Sequence, residues 1–109
     1  MTEADDTFAL SFERDRLLWA LEKLKLAASH LERDDAPIQE RLKRALVAMH
    51  AVWPADLPHD LREQLAPVRR AMSEVSLAMT SKEAAVVGQA ILRLRGEVDG
   101  RIDQQRRAQ

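Results

Sequence analysis

The sequence contains no cysteine and no tyrosine, and it is poor in glycine, proline and aromatic residues. The absence of cysteine excludes disulfides, thiolate nucleophiles and cysteine metal sites, and it is typical of a reducing compartment. No apolar run approaches the roughly 18 residues of a membrane helix, and the acidic start MTEADDTFAL lacks the apolar core of a secretory signal. We therefore predict a soluble cytoplasmic protein without membrane association.

The chain also lacks a marked excess of charge of either sign. It has 17 basic and 18 acidic side chains, for a net charge of −1. Strong nucleic-acid binders are usually far more basic, so a nucleic-acid partner is not expected from composition. The charges are unevenly spread, because residues 1–35 are mainly acidic and residues 81–109 are more basic than acidic. This asymmetry can orient the first and last helices against each other.

Patterns that carry catalysis or bind metals are equally scarce. The three histidines are His30, His50 and His59, and no two of them have the helical spacing of metal ligands. Asp56 and His59 form the nearest approach to a ligand pair, but an aspartate at a helix start is usually a cap. No histidine has a telling spacing from a serine. We predict no catalytic site, no metal site and no cofactor, and therefore no enzyme.

Helix-forming residues dominate what is present, and no segment alternates polar and apolar residues with period two. We predict an all-α fold: a four-helix bundle of up-down-up-down topology in a single domain, residues 1–109. Residues 1–7 are expected to be disordered, and residues 104–109 to form a frayed basic tail. A bent helical hairpin that dimerises would have the same sequence pattern and is the alternative.

The first two helices are predicted from apolar positions spaced alternately four and three residues apart. The first runs from Thr7 or Ser11 to Arg33, interrupted by Arg14, and the second covers residues 36–52, with Asp35 as its expected cap. Their predicted inward positions are Leu10, Leu17, Leu21, Leu24, Ala28 and Leu31, then Ile38, Leu42, Ala45, Leu46, Met49 and Val52.

The third helix is predicted to begin near Pro58, with Asp56 as its cap, and to contain Pro67 in its middle. We expect a bend at this proline with the apolar face kept inward, and a short break between two collinear helices is the alternative. The fourth helix, from Ser81 to Arg106, starts with a capping box of Thr80 and Glu83. The predicted inward positions are Leu61, Leu65, Val68, Met72, Val75 and Met79, then Ala84, Val87, Ile91, Leu94, Val98 and Ile102.

The first helix carries a second apolar band opposite these inward positions. At about 100° per residue, this band consists of four residues, Phe8, Phe12, Trp19 and Leu26. Four large apolar side chains in a row favour an interaction surface. We predict an interface there, covered by a second copy of the chain, by another protein, or by a helix of the same monomer. Single outer residues such as Val47 and Val86 are ordinary.

The sequence therefore favours a small helical protein–protein interaction module, an adaptor, chaperone or regulator, that forms a homodimer. A nucleic-acid-associated regulator is the alternative, acting through basic residues of the last helix: Arg93, Arg95, Arg101, Arg106 and Arg107. An enzyme would require a polar pocket with buried arginines. The candidates are Arg14 and Arg101, which lie where the inward apolar pattern is interrupted.

Overall fold

The computed structural model describes the backbone of residues 2–73 and 79–108, and the side chains of residues 13–73 and 79–108. Over this part the chain forms α1 (Thr2–Glu32), α2 (Ile38–Met49), α3 (Arg62–Ser73) and α4 (Ser81–Arg107). Two single 3₁₀ turns, Pro54–Asp56 and His59–Leu61, lie between α2 and α3. The prediction of an all-α fold with four helices in contact is confirmed.

Helix α1 lies between two neighbours, packing against α2 on one flank and α4 on the other, while α3 packs mainly on α4. Near the end of α1, the Leu31 carbonyl accepts a hydrogen bond from Arg41 at the start of α2 (2.8 Å). Towards the middle of α1, Trp19 donates to the carbonyl of Ala51, just beyond α2 (3.3 Å). Helices α1 and α2 therefore run in opposite directions. The same holds for α3 and α4, because Asp60 before α3 pairs with Arg101 in the C-terminal half of α4.

The core is aliphatic and follows the predicted periodicity. Every predicted inward position of α4 is buried, and so are those of α1 from Leu17 onwards. The side chain of Leu10 lies outside the described residues. Alanines widen the buried face of α1, because Ala20 and Ala27 are fully covered. No polar or charged residue is buried in the part of the chain that the structure describes, so helix contact there depends on apolar area and close packing.

The helix boundaries differ from the expected ones at several ends. Helix α1 begins at Thr2, earlier than predicted, and α4 continues to Arg107, into the expected tail. The fraying of both ends stays a prediction. Helix α3 begins at Arg62 rather than near Pro58, because the two 3₁₀ turns occupy the preceding residues. Met79 lies outside any helix and is partly buried, and Val75 lies outside the described residues.

Of the three predicted caps, only the capping box of α4 is confirmed. The Glu83 N–H donates to Thr80 Oγ1 (3.1 Å), and the Thr80 N–H donates to Glu83 Oε1 (3.4 Å). Asp35 does not cap α2. The cap is Pro37, whose carbonyl accepts from the N–H groups of Glu40 and Arg41.

The two aspartates that were predicted as caps have other partners. Asp35 lies too early to reach the first turn of α2, and it pairs instead with Arg44 (3.1 Å). Asp56 accepts a hydrogen bond from the Trp53 N–H (2.9 Å), so it closes the first 3₁₀ turn and does not begin α3.

Helix α3 continues through Pro67, which is exposed. Leu61, Leu65 and Val68, which flank the proline, are buried. The apolar face therefore stays inward across Pro67, as expected, and the alternative of two separate helices is not what the structure contains.

Candidate interaction surface

The outer band of α1 is only partly covered by the rest of the chain. Trp19 is 46% exposed and Leu26 is 47% exposed. The other two residues of the predicted interface, Phe8 and Phe12, have side chains outside the described residues. No described helix closes over Trp19 and Leu26, which lie opposite the buried face that α1 turns towards α2 and α4. Within the described residues, no helix of the same monomer therefore covers Trp19 and Leu26.

Trp19 is held in one orientation by two contacts within the monomer. Its indole N–H donates to the Ala51 carbonyl (3.3 Å), and Lys23 Nζ lies 4.4 Å from the centroid of its ring. A cation at this distance is attracted by the face of an indole. Trp19 thus ties α1 to the end of α2 while about half of its surface stays accessible. A substitution at Trp19 would disturb the monomer as well as any interface.

Helix α2 carries an exposed apolar residue at the level of this band. Val47 is 72% exposed and lies one helical turn before Ala51, the residue whose carbonyl accepts from Trp19. The hydrogen bonds from Arg41 to Leu31 and from Trp19 to Ala51 set the register of the two antiparallel helices, and this register places Val47 at a level of α1 between Trp19 and Leu26. From its spacing within α2 alone Val47 is an ordinary outer residue, because its position along α1 depends on the register in which the two helices pack. We define the α1/α2 face as Trp19, Leu26 and Val47.

The histidines do not come together. His50 and His59 are exposed, and His30 is partly covered, with Nδ1 buried and without a hydrogen-bond partner. Among the residues that the structure describes, no group of three or more histidines and carboxylates could hold a metal ion.

Three of the five arginines proposed for nucleic-acid contact already bind carboxylates. Arg95 pairs with Glu32 (2.8 Å) and Arg107 with Asp103 (3.0 Å), while Arg101 makes a two-point pair with Asp60. These pairs are solvent-exposed and individually weak. They nevertheless reduce the unpaired positive charge along α4.

The pair of Asp60 and Arg101 has a distinct electrostatic effect. The hydrogen bond from Arg101 lowers the pKa of Asp60 below its ordinary value, and the same bond raises the pKa of Arg101. The pair connects the turn before α3 to α4.

Neither Arg101 nor Arg14 is buried, in contrast to the buried arginines that an enzyme pocket would require.

Trp53 is an exposed aromatic residue outside the band predicted from the sequence. It precedes Pro54 in an extended conformation (φ −104°, ψ 152°), as a residue before proline favours. Val52 before it and Leu57 after it are buried, whereas Trp53 is 58% exposed. The two buried neighbours anchor the connection and leave the indole on the surface. Arg69 of α3 lies over its ring, 5.0 Å from the centroid.

Comparison with known proteins identifies no relative: the chain matches no protein-family model, no curated protein and no solved structure. None of the helices in the described ranges has the length and apolar character required to cross a lipid bilayer.

Proposed function

We propose that this protein is a small helical interaction module, an adaptor, chaperone or regulator, whose α1/α2 face binds a second copy of the chain. The observation that carries the proposal is the half-exposed pair Trp19 and Leu26, two turns apart on a helix whose opposite side is fully packed. Exposed tryptophan with adjacent aliphatic side chains is typical of interface centres. A cytoplasmic location and the absence of catalysis remain expectations of this proposal.

The charge along α1 supports a copy of the chain as the partner. Residues 12–22 contain three acidic and two basic side chains, whereas residues 23–33 contain three basic and one acidic side chain. Two such helices attract each other when they pair in opposite directions and repel when they pair in the same direction. A twofold axis near the boundary of these segments gives the attractive arrangement.

The same axis brings complementary side chains together. With the axis between residues 22 and 23, Trp19 of one copy lies opposite Leu26 of the other, and Glu22 lies opposite Lys23. Each copy contributes both members of each pair, as a twofold interface requires. With this axis, residues 13–32 of α1 (Thr2–Glu32) lie opposite the same residues of the second copy, which gives the dimer a line of helix contact about 30 Å long.

Light scattering over a range of protein concentrations tests the dimer, with Leu26→Glu and Val47→Glu as the disrupting variants. Each places a carboxylate at the centre of the apolar contact, and we expect a dissociation constant about tenfold higher or more. Leu26 is preferred to Trp19 because Trp19→Glu also removes the bond to Ala51. Circular dichroism should show unchanged helix content in both variants.

Val86→Glu is the matched control for Val47→Glu. Both valines are exposed, at 63% and 72%, and each has a lysine four residues before it and an alanine four residues after it. Val86 lies on α4, away from the α1/α2 face, so its substitution should leave the dimer intact. A wild type that stays monomeric at high concentration would reject self-association. Equal weakening by both valine variants would reject this face as the contact.

The nucleic-acid alternative has less support, because the pairs of Arg95, Arg101 and Arg107 occupy most of the basic residues on which it depends. Retention of the protein on heparin at low salt, with a steep loss as salt rises, would favour that alternative. Passage through the column without retention would remove it.

A further inference from the structure

A second surface, separate from the dimer proposal, surrounds Trp53. A pocket of about 460 Å³ lies between the connection after α2 and the C-terminal half of α3. Its lining consists of His50, Trp53, Arg69, Arg70, Met72 and Ser73. Among the residues that the structure describes, the lining therefore combines an exposed indole with two guanidinium groups and contains no carboxylate.

The two arginines of this pocket are available to bind an anion. Neither Arg69 nor Arg70 makes an ion pair within the described residues, whereas Arg44, Arg95, Arg101 and Arg107 all do. Arg69 is positioned by the ring of Trp53. Because a guanidinium has five N–H donors in a planar fork, Arg69 can lie against the indole and still donate hydrogen bonds to an anion.

Trp53 supplies a planar apolar surface at the same place. The buried side chains of Val52 and Leu57 and the bond from its own N–H to Asp56 fix the backbone around it. More than half of its surface is exposed. A fixed indole can stack on the face of a planar ring without a large cost of ordering.

The larger cleft at the other side of this connection is less suited to an anion. It measures about 620 Å³ and includes Arg16, Arg62 and Arg101. Arg16 and Arg62 donate to the carbonyls of Ala55 and Leu57, and Arg101 binds Asp60. Carboxylates of Glu13 and Asp56 also line this cleft. The smaller pocket therefore has the more favourable electrostatics.

We propose that the pocket beside Trp53 binds a small ligand in which a planar ring is joined to a phosphate, the chemistry of a nucleotide. The ring stacks on Trp53, and the phosphate accepts hydrogen bonds from Arg69 and Arg70. Both contacts are needed at once, since each alone is weak in an open pocket. The volume of the pocket is within the usual range for small ligands.

Titration of the wild-type protein with adenosine monophosphate tests this proposal. Binding is measured from the NMR signals of the two indole N–H groups. The Trp53 signal, identified by its absence from Trp53→Ala, should shift in a saturable way. We expect Arg70→Gln to weaken binding about ten- to a hundredfold, because a charge-assisted bond to the phosphate is lost. Trp53→Ala removes the stacking contact and should weaken nucleotide binding about five- to a hundredfold. Binding to this variant is measured from backbone amide signals, because its Trp53 indole signal is absent.

Two further ligands and one control variant separate stacking from simple attraction of charge. Adenosine and inorganic phosphate should each bind far more weakly than adenosine monophosphate. Arg93→Gln removes an exposed arginine of α4 and should leave binding unchanged. The proposal is overturned if no saturable shift occurs, if either half-ligand binds as tightly as the nucleotide, or if Arg93→Gln weakens binding as much as Arg70→Gln. Repeating the titration with Leu26→Glu, the variant designed to disrupt the dimer, measures nucleotide binding separately from dimerisation. The two proposals are therefore tested independently.

Discussion

Asp60 and Arg101 form a contact whose contribution to stability depends on pH. Because the pKa of Asp60 is lower in the folded protein, its ionised form stabilises the fold above its unfolded-state pKa. This contribution disappears as the pH falls through the lowered pKa of the folded state. Since the pair is exposed, the effect on the free energy of unfolding is expected to be small.

We therefore predict that Asp60→Asn destabilises the protein slightly at neutral pH and that this difference vanishes in strong acid. Chemical unfolding of the two proteins over a series of pH values measures it. In the Arg101→Gln background, Asp60 has lost its partner, and the same substitution should have almost no effect at either pH. A difference that persists in that background would show that Asp60 acts through another group.

At the scale of the element, Pro67 is the clearest local conflict between sequence and helix. A proline inside a helix lacks the N–H that would bond to the preceding turn, and its ring crowds that turn. Helix α3 tolerates Pro67 because the residues around it, Leu65 and Val68, are completely buried. Tertiary packing here outweighs intrinsic helix propensity.

We predict that Pro67→Ala leaves stability equal or raises it, by up to about 3 kcal/mol. Pro67 is exposed, so the substitution removes no buried contact. Thermal unfolding at one fixed protein concentration measures the change. Ala66→Gly on the same exposed side provides the opposite control, since it should lower stability by about 1 kcal/mol. A marked loss of stability in Pro67→Ala would mean that the proline fixes the course of α3.

The helices and their buried faces were predictable because apolar spacing directly reports which side of a helix loses contact with water. The alternation that runs from Leu61 to Val68 identified the buried face even across a proline. The cap of α2 was not predictable in the same way. Its position depends on Pro37 adopting the cap conformation. Asp35 therefore lies two residues before the cap, where it binds Arg44 instead.

The candidate site was predictable only in part, for a similar reason. The spacing of Trp19 and Leu26 within one helix was sufficient to predict their exposed band. Val47 joins them because of the register between α1 and α2, which spacing within one helix does not contain. Trp53 was missed because the proline after it was interpreted only as a helix stop. The apolar residues on either side of the Trp–Pro pair, Val52 and Leu57, indicate a segment that is fixed to the core, with the Trp53 indole on the surface.

At the scale of the whole molecule, folding and association should be separable. The four helices bury a continuous aliphatic core within one chain, so helicity does not require the proposed partner. Binding of the native state to a second copy adds stability by mass action. The molecule measures 54 × 24 × 18 Å, and the long direction suits pairing side by side along α1.

We predict that the unfolding temperature of the wild type rises with protein concentration, whereas that of Leu26→Glu does not. At the lowest concentration the two proteins should have the same helix content by circular dichroism. Val86→Glu should behave as the wild type does. Loss of helicity on dilution of the wild type would mean that folding and dimerisation cannot be separated.

The position of α1 between α2 and α4 also has a consequence for synthesis on the ribosome. Helix α2 is available almost as soon as α1 has been made, but the contact of Leu31 with the region of Gly88 must wait until α4 has been made. Until then, the flank of α1 that later meets α4 remains uncovered in the nascent protein. A chaperone that shields apolar helix faces would find its target in this interval, and completion of α4 would release it.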